Sequence, residues 1–280
     1  MTLLAIESAT DMVGVALIRD DGASAERVHL GGRAHAELLV PAIEEVCAVS
    51  GCKVTDIDRI AVDIGPGLFT GLRVGVATAK ALAQALDVPL LGVSSLDVLA
   101  AAAAEAARSQ AEASVPARAA PVVPVVDARR GEVFVAAYRF DRPGGAARVS
   151  SDDEPVDPEF VREDRFEPIA PAALVPWLLD LVAEAGRVLV VGDGAVRYRE
   201  LLSVHSGLDL GLADQLAAPS PLAMAHVALS RLARGVPPVA PEELVPDYRR
   251  QADARINWEQ RAARSPAAED NGSGQDRGGR

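Results

Sequence analysis

Asp63-Ile64-Gly65-Pro66-Gly67-Leu68-Phe69-Thr70-Gly71-Leu72-Arg73-Val74-Gly75 is the stretch on which the fold turns. The apolar run Ile60–Ile64 that leads into it has the length and β-branched content of a buried strand. Beyond it, Leu72–Leu86 reads as a long helix that Asp87-Val88-Pro89 ends. Strand, glycine loop and helix in succession make a unit of an α/β protein, and backbone N–H groups at such a helix start can face an anion. Gly65, Gly67, Thr70 and Gly71 are therefore candidate nucleotide contacts. The spacing is not that of a P-loop, because a Gly-Lys-Ser/Thr ending is missing and Lys80 lies two helical turns on. A tight turn that needs glycine's positive φ is the competing explanation and the better supported one.

Upstream, Leu3–Glu7 and Val13–Arg19 read as strands joined by the polar turn Ser8-Ala9-Thr10-Asp11, with Ala25–Leu30 as a third strand. Glu37–Val49 places Leu38, Leu39, Ala42, Ile43, Val46 and Val49 at helical spacing. Downstream, Leu90–Val93 is a strand, and Ser94 or Ser95 caps an alanine-rich helix to about Arg108. After a connection over Ser109–Pro121, the pattern restarts. Val122–Asp127 and Glu132–Phe140 form a hairpin, Arg142–Arg165 a polar excursion, Ala172–Ala185 a helix, and Val188–Val191 a strand ending in Gly192-Asp193-Gly194. Equivalent glycine loops in two similar halves predict an internal duplication. The expected domains are 1–110 and 120–250, with a further helix Pro219–Arg234 that could pack back on the first, and a disordered tail over 257–280.

Composition agrees with two α/β domains: 280 residues, 49% hydrophobic, 4% aromatic. The net charge of −12 repels a polyanion, and the arginines form no basic stripe, so an autonomous nucleic-acid surface is not expected. Four scattered histidines (His29, His35, His205, His226) have no metal-ligand spacing, and Cys47 and Cys52 read as reduced thiols. No apolar run reaches the roughly 18 residues of a membrane span. Glu7 and Asp127, each at the end of a first hairpin strand, could face one another across an inter-domain cleft and hold hydrated magnesium, or could simply bind turn amides. The helix Leu72–Leu86 has apolar side chains over most of its circumference, more than one sheet can bury, which a partner or the rest of the chain must cover.

Several segments in order resemble the TsaB (YeaZ-type) family of tRNA threonylcarbamoyladenosine biosynthesis: Asp63–Gly75 with Ala79-Lys80-Ala81-Leu82-Ala83, then Asp127-Ala128-Arg129-Arg130-Gly131-Glu132-Val133-Phe134, Gly192-Asp193-Gly194-Ala195 and Pro246-Asp247-Tyr248-Arg249. Leu68 stands where that family often has serine, and Glu7 where aspartate is usual. The resemblance implies a duplicated actin-like ATPase (ribonuclease H-like) two-domain α/β fold. It implies a cytoplasmic, non-catalytic subunit with no cofactor or metal of its own, which stabilises and activates a TsaD-like catalytic subunit alongside a TsaE-like ATPase. It would meet tRNA only indirectly, meet ATP or ADP and magnesium only in the complex, and form a homodimer in isolation. The family pairs through the first two helices, which maps a partner interface onto Leu39, Ile43, Val46, Val74, Ala77 and Ala81. The alternative is an ATP-dependent phosphotransferase of the actin and sugar-kinase superfamily.

Overall fold

A computed structural model describes residues 1–30, 34–110, 120–140 and 160–249. The expected tail, 257–280, lies outside these residues, as does most of the connection between the halves. Residues Met1–Arg249 form one compact unit.

In chain order the elements are β1 (Thr2–Glu7), β2 (Met12–Arg19), β3 (Ser24–Leu30), α1 (His35–Val49), β4 (Arg59–Gly65), α2 (Phe69–Leu86), β5 (Leu90–Ser94), α3 (Ser95–Gln110), β6 (Val122–Arg129), β7 (Glu132–Phe140), β8 (Phe160–Ile169), α4 (Pro171–Ala185), β9 (Val188–Val191), α5 (Asp193–Arg197), α6 (Arg199–Leu202), β10 (Leu208–Asp209) and α7 (Pro221–Ala233). Two five-stranded sheets result, ordered β3-β2-β1-β4-β5 and β10-β9-β6-β7-β8. Numbered within its own half, each reads 3-2-1-4-5, with the first hairpin antiparallel and the last two strands parallel to the first. This repeated topology is the duplicated actin-like fold. It includes two strands that were not anticipated, β8 and the two-residue β10. β8 lies partly within the stretch read as a polar excursion, because its charged residues Arg162, Glu163 and Arg165 sit on an edge strand.

Alternation along the central strands divides the core. On β1, Leu4 and Ile6 face α1 and α2, while Leu3 and Ala5 face the opposite layer with Met224, Ala225 and Ala228 of α7. On β6, Val122 and Val126 pack with α3, and Val123 and Val125 with α4. α3 is therefore covered on two sides. Leu96, Leu99 and Ala103 point to the second sheet, and Val98 and Ala101 to the first sheet and α7. Small alanines suit a helix squeezed between two layers. α7 comes from the second half of the chain but packs on β1 and β2, so the two halves are interlocked.

Candidate functional site

The glycine loop is built against the first hairpin turn. A Cβ at Gly67 would lie 2.2 Å from the Ala9 carbonyl oxygen, and one at Gly71 would lie 2.0 Å from that of Ser8. Leu68 N–H donates to Ala9 O (2.6 Å), and the Ser8 hydroxyl donates to Gly71 O (2.9 Å). The absent side chains let the start of α2 touch the β1–β2 backbone, a close approach only glycine permits. Of the residues singled out as nucleotide contacts, Gly67 and Gly71 are thus engaged with Ala9 and Ser8. Gly65, at φ +103°, donates its N–H to Asp63, and Thr70 is exposed in the first turn of α2. The later motif Pro246–Arg249 packs onto the same loop: Asp247 N–H donates to Ile64 O (2.7 Å), and the rings of Tyr248 and Phe69 lie 5.0 Å apart.

Glu7 does not meet Asp127. It is fully buried beside Asp63 of the neighbouring strand β4. Glu7 Oε1 accepts Ala9 N–H (2.9 Å), and Asp63 Oδ1 accepts Gly65 N–H (2.6 Å) and the Ser95 hydroxyl (2.7 Å). Their second oxygens, Glu7 Oε2 and Asp63 Oδ2, are buried and receive no donor from the rest of the protein. Burial first, and then the neighbouring Asp63 charge, push the Glu7 carboxyl well above its ordinary range; burial raises Asp63 as well. Two adjacent buried carboxyls in this state share a proton. The sequence pattern missed the pair because Asp63 sits inside an apolar run, as a strand residue does.

Asp127 is engaged in the other half. Its N–H donates to Asp193 Oδ1 (2.8 Å), its Oδ1 accepts Arg129 N–H (2.9 Å), and its Oδ2 faces Arg129 (3.3 Å) and Arg197 (3.5 Å). Burial is the main cause that pushes Asp193 up to about 6. What crosses between the two hairpin turns is an ion pair, Arg129 Nη2 to Asp11 Oδ2 at 2.6 Å. Arg129 and Arg130 both hold positive φ (63° and 54°), which costs energy for residues with a side chain and aims Arg129 at the opposite turn. These groups do not fit magnesium. The expected carboxylate pair is not formed, arginines neutralise Asp127, and among the described residues no three His, Cys, Asp or Glu side chains converge as cation ligands.

The outer helices differ from expectation in one respect. Leu39, Ile43 and Val46 are 0–4% exposed and lie in the core under the first sheet, because an i, i+4, i+7 stripe is the one a helix turns inward. They cannot touch a partner. The outer face of α1 instead shows Val40 (52% exposed) and Val49 (62%). On α2, Ala77 and Ala81 are exposed and Val74 is half-buried. The apolar residues off the core stripe of α1 were the usable signal.

The family model described as "TsaD: tRNA N6-adenosine threonylcarbamoyltransferase" matches residues 29–150. The tRNA threonylcarbamoyladenosine biosynthesis protein TsaB of Bacillus subtilis is 29% identical over 92% of this chain and 98% of its own. A crystal structure from Pseudomonas aeruginosa, described as similar to peptidase YEAZ, superposes with a TM-score of 0.67 at 28% identity, covering 89% of this chain and 99% of that one. The chain belongs to the TsaB (YeaZ-type) family. The TsaB protein of Escherichia coli is 34% identical over 58% of this chain and 65% of its own. In this member of the TsaB family, segments that carry the resemblance meet in space: the glycine loop with Pro246–Arg249, and Asp127 with Asp193.

Proposed function

We propose that the chain is the non-catalytic scaffold and activator of a TsaD-like threonylcarbamoyltransferase, within the biosynthesis of tRNA threonylcarbamoyladenosine for which its relatives are named. In this reading the product is threonylcarbamoyl on the adenosine next to the anticodon of tRNAs that read codons starting with A. One observation carries the reading: small and apolar side chains, Val40, Ala77 and Ala81, remain on the outer faces of α1 and α2 after the core is complete. Small residues let a partner's helices approach closely. The glycine loop and the acids that a phosphotransferase would need are turned inward on the chain itself, which favours the scaffold over that alternative.

In the same reading a TsaE-like ATPase completes the assembly, and tRNA is reached through the catalytic subunit. ATP or ADP and magnesium enter only with the complex, the isolated chain pairs with itself through the face it later offers to TsaD, and the work is cytoplasmic. Replacing Ala77 and Ala81 by arginine tests the docking face. The variant should remain folded by circular dichroism yet fail to co-purify with the catalytic subunit, and unchanged co-purification would refute it. Reconstituting the modification with and without the chain, read by mass spectrometry of tRNA nucleosides, tests the activating role.

A further inference from the structure

The end of α1 brings the two cysteines of the chain together. Ser50 is the C-cap, and Gly51 follows in the left-handed region at φ +66°. Cys52 N–H donates to Cys47 O (3.0 Å), and Gly51 N–H donates to Ala48 O (3.2 Å). These are the paired bonds of a Schellman motif, whose geometry sets the side chain two residues past the cap against the one in the third-last helical position. In most helices two apolar residues fill those places. Here they are Cys52 and Cys47, and Cys52 packs against the core cluster that contains Cys47. Cys47 is 3% exposed within the first core, while Cys52 is half-buried at its edge.

We propose that Cys47 and Cys52 form a reversible internal disulfide by exchange with a low-molecular-weight disulfide such as oxidised glutathione. Cys52 is the sulfur that solvent reaches. As thiolate it attacks the small disulfide, forms a mixed disulfide and releases one glutathione thiolate. The Cys47 sulfur then attacks Cys52, closes the protein S–S bond and expels the second glutathione thiolate; the Cys47 proton goes to solvent. Two protein thiols are oxidised and one glutathione disulfide is reduced to two thiols. In the resting protein, burial first and then the adjacent Cys52 raise the Cys47 thiol to about 12, which keeps it inert. Capping Cys52 removes the second of these causes and sets a disulfide beside Cys47, while burial still holds its thiol high, so ring closure depends on that proximity. The cross-link would fasten the last turn of α1, beside exposed Val49, in the conformation it already holds.

The test equilibrates the folded full-length chain with glutathione buffers of rising oxidation, quenches it with an alkylating agent and digests it with trypsin. Both cysteines fall in one peptide, residues 34–53. The oxidised form is expected as an unalkylated peptide about 2 Da lighter than its reduced, unalkylated mass. Its equilibrium constant should be at least about tenfold larger than in urea, because the folded cap holds the sulfurs together. Cys47→Ser should accumulate glutathione on Cys52, and Cys52→Ser should stay reduced. A wild-type peptide that carries only glutathione, or an internal disulfide that forms as readily in urea, would overturn the proposal.

Discussion

Replacing Asp97 by alanine should be among the most damaging single changes outside the glycine loop, because one buried carboxylate ties together elements from both halves. Asp97 stands in the first turn of α3. Its Oδ1 accepts from the Tyr138 hydroxyl (2.5 Å) and Arg162 Nη1 (2.8 Å), on β7 and β8, and its Oδ2 accepts from Arg231 Nη2 (2.5 Å), on α7. The carboxylate is 6% exposed and the two arginines 23% and 17%, so water can replace little of what is lost. Alanine removes a negative charge that lies between two guanidinium groups. Breaking a buried pair by deleting one partner costs about 3–5 kcal/mol, against a total of about 5–15 kcal/mol for a typical fold. At this size, 1 kcal/mol is worth about 2–4 °C, so Tm should fall by about 6–20 °C. Urea unfolding followed by circular dichroism gives the free energy directly. A double-mutant cycle with Arg231→Met isolates the contact, and the paired change should cost less than the sum of the two singles. A loss under about 1 kcal/mol for Asp97→Ala, with additive double-mutant energies, would refute the reasoning and reduce the network to a screened surface contact.

Other expectations follow from the same geometry. Glu7 holds its proton in the fold above its ordinary value of 4.5, so over that interval the native state binds more protons than the unfolded chain and stability falls as pH rises, by about 1.4 kcal/mol per unit. Glu7→Gln, whose amide can still donate to Asp63, should remove that slope; urea melts between pH 5 and about 8 should diverge from wild type as pH rises, and a constant difference would contradict the shared proton. Gly71→Ala sets a methyl against the Ser8 carbonyl backbone, which cannot move as a side-chain tip can, and should lose at least about 2 kcal/mol in the same assay. Asp11→Asn breaks an ion pair whose partners are 65% and 41% exposed, so it should change stability by less than about 1 kcal/mol.

Much of the fold was legible because it rests on local signals. The strand Ile60–Ile64, the glycines after it and the periodicity of Leu72–Leu86 all state the same unit, and Gly192-Asp193-Gly194 repeats it. β8 was hidden because an edge strand needs no apolar face on its open side. Site geometry was less legible. Periodicity identified an apolar stripe on α1 but could not say whether a sheet or a partner covers it, and the stripe Leu39, Ile43, Val46 went to the sheet. Nor could spacing tell that Glu7 would meet Asp63, 56 residues away, since that contact depends on the parallel register of β1 and β4.

The sequence offered the ends of the first hairpins and the loop after the fourth strand as places where backbone amides and carboxylates could meet a nucleotide. Here each is satisfied from within. Gly67 and Gly71 accept the close approach of Ala9 and Ser8, Glu7 and Asp63 hold a proton between them, and Asp127 faces Arg129 and Arg197. Buried polar groups that are already paired have nothing to gain from a ligand, because a ligand must first break those contacts and bear their desolvation again. On the outer faces of α1 and α2, by contrast, Val40, Val49, Ala77 and Ala81 stay exposed. The proposed scaffold role rests on this contrast between engaged polar groups and exposed apolar side chains.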